Sequence, residues 1–206
     1  GFLSENPTLP KSLEERGIVF IGPGSEIMEI MGDKLTARQA AKNADIPIAP
    51  SVEYDGNNRD FINKCAEIGY PLVIKASAGG GGKGMHVVFE AANLIDRLKT
   101  STVEAKRDFG DERVYAEAFI ENPRHIEVQI LGDGKGNVVH LFERECSIQR
   151  RFQKIIEETP APNLGDSLRN KICQTACKLA KSVNYKNAGT VEFVLGEQNQ
   201  FYFLEM

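Results

Sequence analysis

The alternation of apolar and polar residues divides the chain into three stretches. Residues 1–48 alternate helical patterns with one short, fully apolar segment, Ile18–Ile21, which predicts a buried strand of a two-sided α/β sheet. A helix is predicted at residues 34–43, and Asp33 can cap its N-terminus. Two prolines near residue 48 then interrupt the pattern, and we place a domain boundary there.

The middle stretch has the pattern of a small α+β module. Its predicted elements are a helix at 59–68, strands at 72–75 and 85–88, a helix at 91–106 and a strand at 114–117.

The last stretch is rich in strands. Along its first strand the apolar residues face one side and the polar ones the other: Ile126, Val128 and Ile130 against His125, Glu127 and Gln129. The elements predicted after it are a hairpin turn at 133–137, a strand at 138–144, a helix at 167–183 and strands at 190–195 and 201–206.

Composition narrows the class of protein. The 206 residues are 41% hydrophobic and 26% charged, which is typical of a soluble globular protein, and the net charge of -4 gives no indication of a nucleic-acid partner. No apolar run approaches the roughly 20 residues that cross a bilayer. The four cysteines match no zinc or redox spacing, so we expect buried, reduced thiols and a cytoplasmic or organelle-matrix location. Because the chain lacks an initiator Met and ends within a predicted strand, we expect a fragment of a longer polypeptide.

Four consecutive glycines, Gly79 to Gly82, lie between two predicted strands, with Lys75 before them and Lys83 after them. Their backbone N–H groups can approach an anion closely and cradle phosphates. The Walker pattern is absent, because Gly84 stands where a hydroxyl residue would follow the lysine. A flexible linker is the alternative interpretation.

Glu192 and Glu205 form a second candidate site. A hairpin that pairs Gly196 with Phe201 would place the two glutamates opposite each other, where like charges destabilise a sheet. Two half-buried carboxylates call for a cation, and hard oxygen ligands suit Mg²⁺. A slip of one residue would separate them, and two solvent-facing glutamates are the alternative.

Four cations occur between Arg144 and Lys154, interleaved with apolar residues. This run predicts either a solvated loop or a loop that lines an anion site. His125 begins a strand whose polar face also carries Glu127. A lone histidine at the start of a strand is more often structural, but a polar neighbour on the same face makes a functional role more plausible.

Five motifs taken together resemble biotin carboxylase, the ATP-grasp component of biotin-dependent carboxylases. They are Met31-Gly32-Asp33-Lys34, the run from Ile74 to Met85, Glu121-Asn122-Pro123-Arg124-His125-Ile126-Glu127, Gln149-Arg150-Arg151-Phe152-Gln153-Lys154, and Phe203-Leu204-Glu205-Met206. The resemblance implies an ATP-grasp fold of α+β and α/β character, preceded by part of a Rossmann-like N-terminal subdomain. It further implies three parts: residues 1–48 as the end of that subdomain, 49–119 as the lid, and 120–206 as an incomplete ATP-grasp C-terminal subdomain.

The resemblance also implies a role for each matching residue. Lys34 and Lys75 would bind the ATP phosphates under a lid of Gly79 to Gly84, including Gly80, Gly81 and Gly82. The remaining nucleotide contacts would be Glu117, Ala118 and Ile120 at the adenine, with His125 and Gln149. Glu192 and Glu205 would hold Mg²⁺ or Mn²⁺, and Lys154 would contact bicarbonate. Ala118 and Phe152 depart from the commoner Lys and His of the family.

The implied reaction is the formation of carboxyphosphate from bicarbonate and MgATP, followed by carboxylation of biotin on a carrier. The implied partners are a biotin carboxyl carrier and a carboxyltransferase, in a homodimeric acyl-CoA or pyruvate carboxylase, for example in fatty acid biosynthesis. In the family the bicarbonate base and the biotin-holding arginine follow the Glu-Met at which this chain ends, so we expect the segment alone to bind ATP without turnover. Another ATP-grasp ligase, such as a carbamoyl-phosphate synthetase, and a non-catalytic nucleotide-binding module are the alternatives.

Overall fold

The computed structural model describes residues 3, 6–79, 82 and 84–206. They form two compact units: the first combines Gly1–Ile48 with Asn122–Met206, and the second is Ala49–Glu121. Residues 1–48 thus belong to the same compact unit as residues 122–206, whereas the resemblance implies a separate subdomain for them.

The first unit is built on a five-stranded antiparallel sheet in the order β7-β6-β5-β8-β9. Its strands are β5 (Arg124–Asp133), β6 (Val138–Arg150), β7 (Gln153–Glu158), β8 (Lys186–Leu195) and β9 (Phe201–Glu205). Its helices are α1 (Thr8–Glu14), α2 (Ser25–Gly32), α3 (Lys34–Asn43) and α6 (Asp166–Ser182).

Apolar and polar residues alternate along β5 from His125 to Ile130, and this explains how the sheet buries one face. Ile126, Val128 and Ile130 are fully buried, as the sequence predicts, and join a core beneath helix α6, which packs on β5 and β6. Burial of such side chains contributes about 1.5–3 kcal/mol each. The polar residues between them are therefore held on the opposite face of a rigid sheet.

A buried ion pair fastens α6 to the sheet. Glu143 on β6 is 1% exposed, and one of its carboxylate oxygens accepts hydrogen bonds from Arg169 Nε at 2.8 Å and from the Ala161 backbone at 3.0 Å. Burial alone would raise the pKa of Glu143, but Arg169 and the Ala161 N–H together hold it below the usual value.

Helix α3 begins where the sequence predicts. The carboxylate of Asp33 accepts from the backbone N–H groups of Leu35 and Thr36 at 2.9 and 3.0 Å, so two of the free donors of the first turn are satisfied.

The predicted strand at Ile18–Ile21 is wrong. The segment is irregular, and the side chains of Val19 and Ile21 are 79% and 87% exposed. No strand in the described part of the chain pairs with it, and an extended segment forms a sheet strand only with a ladder partner.

The second unit contains a four-stranded antiparallel sheet in the order β1-β4-β2-β3. Its elements are β1 (Ser51–Glu53), α4 (Asn58–Ile68), β2 (Leu72–Ala76), β3 (His86–Val88), a 3₁₀ turn (Ala91–Asn93), α5 (Leu94–Phe109) and β4 (Val114–Ala118). Helix α5 packs against β2, β3 and β4 over a core that includes Leu72, Ile74, Leu98 and Ala105.

The cysteines are all buried, as the sequence predicts. Burial raises the pKa of the Cys65 thiol to about 11 and that of Cys173 to about 12, so both remain protonated at neutral pH.

Among the described residues, none of the helices combines the length and the apolar character needed to span a membrane.

Candidate functional site

The predicted pairing of Glu192 with Glu205 is present, but it arises differently from the sequence argument. The turn is one residue tighter, since Leu195 pairs with Phe201 and the Gly196 N–H donates to the Gln200 carbonyl at 2.9 Å. A bulge that leaves Leu204 as the extra residue of β9 then brings the two glutamates opposite each other. The register assumed at the turn was therefore wrong by one residue, and the bulge compensates for it.

A row of three carboxylates crosses neighbouring strands of the first unit. Glu127 on β5 pairs with Glu192 on β8, and Glu192 pairs with Glu205 on β9. On its other side Glu127 pairs with Arg144 of β6. Glu127, at one end of this carboxylate row, is 4% exposed, so it is shielded from solvent and its charge requires counter-charges close by.

Lys154 on β7 provides one of these counter-charges. Its Nζ donates to Glu192 Oε1 at 2.7 Å and also to Glu127 Oε2, so one ammonium bridges two members of the carboxylate row. Burial would lower the pKa of Lys154, but the two carboxylates raise it well above the usual value. The lysine is therefore charged throughout the physiological pH range.

Arg144 provides a second positive charge. Its guanidinium donates to the Glu127 carboxylate and, at 3.1 Å, to the side-chain oxygen of Gln129. Glu127 is thus held from both sides, by Arg144 through one oxygen and by Lys154 through the other. Such charge-assisted contacts fix the orientation of the carboxylate.

His125 lies at the other end of the same polar face. Its Nε2 is 2.6 Å from Glu192 Oε2, and the Gln149 side-chain amide lies 3.1 Å from its Nδ1 and also donates to the Cys146 carbonyl at 2.8 Å. One ring nitrogen therefore lies beside the Gln149 amide and the other beside the Glu192 carboxylate. Burial tends to raise the pKa of Glu192, but His125 and Lys154 together more than offset this and lower it.

Among the described residues, two groups of side chains have ligand atoms close enough to share a cation. In one group the ligand atoms of His125, Glu127 and Glu192 all lie within 4.8 Å of one another, and in the other Cys146 and Glu157 join Glu127. The first group offers carboxylate oxygens on the carboxylate row itself. In the second, burial and the charge of Glu127 raise the pKa of Cys146 to about 12, which disfavours the thiolate that metal binding requires.

The second unit positions the other predicted lysine. Lys75 near the end of β2 is 9% exposed and forms an ion pair with the carboxylate of Glu117 on β4, itself 6% exposed. Glu117 is paired with Val73 in the sheet, so its carboxylate lies diagonally across from the lysine.

The predicted adenine segment follows the same strand. Ala118 ends β4 and its N–H donates to the Pro50 carbonyl at 2.9 Å, while the Phe119 N–H donates to the Pro71 carbonyl at 3.1 Å. Ile120 comes next, in irregular backbone and partly exposed.

Two of the predicted phosphate-binding glycines, Gly80 and Gly81, lie outside the described residues, as does Lys83. Gly79, Gly82 and Gly84 have φ values of 81°, 72° and 69°, which only glycine adopts at little cost. Lys34, the remaining predicted phosphate ligand, is the first residue of α3.

The structure thus gathers His125, Gln149, Lys154, Glu192 and Glu205 on one face of the first unit's sheet. Sequence reasoning omitted two central members of this group, Glu127 and Arg144, from the candidate site. The alternation of β5 already placed Glu127 beside His125, so its position was available from the sequence. Strand β7 was missed, because residues 144–154 were interpreted as a loop, whereas they continue β6 and turn into β7.

Comparisons with known proteins show which family the chain belongs to. Residues 33–206 match the family described as the carbamoyl-phosphate synthase L chain, ATP binding domain, and the chain belongs to that family. Within it, the similarity is to biotin-dependent carboxylases: the chain is 50% identical over its whole length to the pyruvate carboxylase of Bacillus subtilis, of which it covers 18%.

Solved structures give the same result. The biotin carboxylase of Campylobacter jejuni, in a complex named as β-γ-ATP, has a TM-score of 0.94 and 44% identity over the whole chain, which spans 46% of that protein. The biotin carboxylase domain dimer of the Hydrogenobacter thermophilus 2-oxoglutarate carboxylase, solved with MgADP, ADP and bicarbonate, also has a TM-score of 0.94, at 42% identity. The resemblance to biotin carboxylase and the ATP-grasp fold predicted from it are confirmed. The chain spans less than half the length of these relatives.

Proposed function

We propose that the whole protein to which this chain belongs carboxylates biotin, using bicarbonate and MgATP through carboxyphosphate, and that this segment supplies nucleotide, metal and bicarbonate contacts. The observation that carries the proposal is the carboxylate row Glu127–Glu192–Glu205, bridged by the Lys154 ammonium. Three carboxylates side by side would weaken a purely structural sheet, so their presence favours a role in binding charged ligands.

The first unit would bind the metal ion and bicarbonate. Glu192 and Glu205 would hold Mg²⁺, since they are cross-strand partners with the oxygen donors this ion prefers. When bound, the ion would neutralise charge on the transferred phosphoryl group. Lys154, kept charged by the two carboxylates, would attract bicarbonate, and Glu127 would orient this lysine by holding its Nζ. His125 and Gln149 would contact the nucleotide.

The second unit would bind the nucleotide through three groups. Lys75 would neutralise phosphate charge from a position fixed by Glu117. The glycine run would cover the phosphates with backbone N–H groups and exclude water, which otherwise hydrolyses carboxyphosphate. Glu117, Ala118 and Ile120 would contact the adenine, and Lys34 of the first unit would add a further phosphate contact.

Nucleotide titration of the chain tests the binding part of this proposal. We expect MgATP to raise the midpoint of thermal unfolding, because a ligand that binds only the native state stabilises it. Glu192→Gln should weaken the effect of MgATP about tenfold in apparent Kd. Glu197→Gln, at the exposed turn between β8 and β9, is the matched control. Equal binding by both variants and the unsubstituted chain would remove Glu192 from the metal site.

The full-length protein tests the reaction. Bicarbonate-dependent ADP release that free biotin stimulates is the expected result. A carbamoyl-phosphate synthetase is the second candidate, because the matching family model bears that name. ATP cleavage that biotin leaves unchanged, with formation of carbamoyl phosphate from an ammonia source, would establish the second candidate and exclude the first.

The proposal extends to the protein's partners and location. A biotin carboxyl carrier and a carboxyltransferase would act on the same biotin, as separate subunits or domains of one polypeptide, and the whole protein would be a homodimer in the cytoplasm or an organelle matrix. Sedimentation of the full-length protein and its co-purification with a biotinylated polypeptide test these points.

A further inference from the structure

A chain of hydrogen bonds holds the backbone of His125 near the start of β5. In the described chain the pairing of β5 with β6 ends at Ile126 and Glu145, so His125 lies one residue beyond that ladder. Its backbone N–H donates instead to the side-chain hydroxyl of Ser147 on β6, at 2.9 Å. The hydroxyl therefore replaces the backbone carbonyl that would otherwise fix the strand at this residue.

The direction of these hydrogen bonds follows from the charge of Glu145. Its Oε1 is 2.8 Å from the Ser147 hydroxyl oxygen. The hydrogen bonds from Arg124 and Ser147 outweigh burial and hold the pKa of Glu145 below its usual value, so the carboxylate is ionised at neutral pH and can only accept. The Ser147 hydroxyl therefore donates its proton to Glu145 and uses a lone pair to accept from the His125 N–H.

Arg124 fixes the far end of the chain of hydrogen bonds. Its Nε donates to Glu145 Oε1 at 3.1 Å, and its Nη2 donates to the other carboxylate oxygen. The same guanidinium donates to the backbone carbonyls of Pro162 and Asn163, in the loop before α6. The side chains of Arg124 and Glu145 are 30% and 13% exposed, so this two-point ion pair is partly shielded from solvent. Such a pair holds the carboxylate in one orientation, and the Ser147 hydroxyl with it.

The side chain of His125 depends on a fixed backbone because it contacts two groups at once. Its Nε2 is 2.6 Å from Glu192 Oε2, and its Nδ1 is 3.1 Å from the Gln149 amide. A shift of the His125 backbone along or across the sheet would lengthen at least one of these contacts. The Ser147 hydroxyl acts on that backbone directly, so it controls where the imidazole lies.

We propose that Arg124, Glu145 and Ser147 are positioning residues that hold His125 against Glu192 for nucleotide binding. This inference rests on the proposed function, in which His125 contacts the nucleotide. Ser147 gives the sharpest test, because alanine removes the hydroxyl with little change in volume, whereas threonine keeps it. A residue that mattered only for stability would show no specific coupling to His125.

Amide hydrogen exchange in the absence of ligand tests the contact itself. Ser147→Ala should accelerate exchange of the His125 amide on the order of tenfold, because this N–H loses its acceptor, while the Val128 amide in the middle of β5 stays protected. Ser147→Thr should preserve the protection of the His125 amide. Ser182→Ala removes a hydroxyl that donates to the Leu179 carbonyl at 2.7 Å, at the end of α6, and is the matched control. Unchanged exchange at His125 in Ser147→Ala, or equal acceleration at Val128, would overturn the proposal.

MgATP binding by the chain tests the consequence. We expect Ser147→Ala to raise the Kd about threefold to tenfold and Ser147→Thr to retain the affinity of the unsubstituted chain. In a His125→Ala background, Ser147→Ala should cause no further loss, because the hydroxyl acts through His125. If Ser147→Ala fails to fold, Ser147→Cys, whose thiol is a weaker acceptor, carries both tests.

Additive losses in the two variants would show that Ser147 acts independently of His125 and would overturn the proposal. Unchanged MgATP affinity in Ser147→Ala, despite faster exchange at His125, would overturn it as well. An unsubstituted chain that does not bind MgATP would contradict the proposed function, whereas the exchange experiment would still decide whether Ser147 holds the His125 backbone.

Discussion

Replacing Lys154 by methionine removes the ammonium that bridges Glu127 and Glu192 while keeping most of the apolar side-chain volume. Leaving a fully buried charge without its partner costs about 3–5 kcal/mol, whereas an exposed pair contributes about 1 kcal/mol or less. The side chain of Lys154 is 25% exposed and those of Glu127 and Glu192 are 5% and 12% exposed. Arg144 still contacts Glu127 and His125 still faces Glu192, so part of the neutralisation remains. We therefore expect Lys154→Met to lower the free energy of unfolding by about 2 kcal/mol.

Urea unfolding at pH 7 and low ionic strength measures this loss. For a protein of this size the same loss should lower the midpoint of thermal unfolding by about 4–8 °C. Lys135→Met, at the exposed turn between β5 and β6, is the control and should change the stability by less than about 0.5 kcal/mol.

A double-mutant cycle with Glu127→Gln isolates the interaction. Because the neutral amide no longer needs the ammonium, the double variant should be destabilised by about 1 kcal/mol less than the sum of the two single variants. Additive losses would mean that Lys154 does not neutralise the carboxylate row, and the electrostatic argument for the site would fail.

Three further predictions concern positions away from the row. Arg169→Met should lower the thermal midpoint by several degrees, because it leaves the buried Glu143 carboxylate without its cation, and Glu143→Gln should recover part of the loss. Gly132→Ala should cost about 3 kcal/mol in urea unfolding, because the added methyl would lie 2.1 Å from a backbone carbonyl oxygen. The hydrogen bonds of Arg124 hold the pKa of Glu145 below its usual value, so the stability from this pair is complete above the unfolded pKa of about 4.3 and is lost as the pH falls through the lower folded value. Unfolding measured between pH 3 and 6 should show that Glu145→Gln removes this part of the acid sensitivity.

Most helices and strands could be predicted from the sequence because each carries a local signal. Helix α3 has its Asp33 cap and ends at the predicted residue, and β5 alternates between polar and apolar residues from His125 to Ile130. The predictions fail where secondary structure depends on pairing with another segment of the chain. Ile18–Ile21 is apolar enough for a strand but has no neighbour to pair with in the described chain, so local composition misleads.

The candidate site shows the same division between local and tertiary information. Glu192 and Glu205 were predicted as neighbours from the hairpin, but the bulge at Leu204 that aligns them was not predicted from the sequence. Lys154 was found through its motif, while its bridging contact to Glu127 required β7, whose mixture of charged and apolar residues hides the strand pattern. Most residues of the candidate site can therefore be identified from the sequence. The tertiary fold determines which of them form ion pairs with one another.

The carboxylate row is better explained by ligand chemistry than by folding. Replacing a buried ion pair with well-packed apolar residues is often neutral or stabilising by about 1–4 kcal/mol, so selection for stability alone gives little reason to keep Glu127, Lys154 and Arg144 in a sheet. The same sheet shows on its other face, at Ile126 and Val128, that apolar packing is available to it. Gathering Glu127, Lys154 and Arg144 on one face, with the Glu127 carboxylate fixed from both sides, is the arrangement expected where the sheet must present oxygen ligands and an ammonium to small ions in a fixed geometry. The apolar face beneath the carboxylate row, with Ile126, Val128 and Ile130 in the core, offsets the cost of these charges.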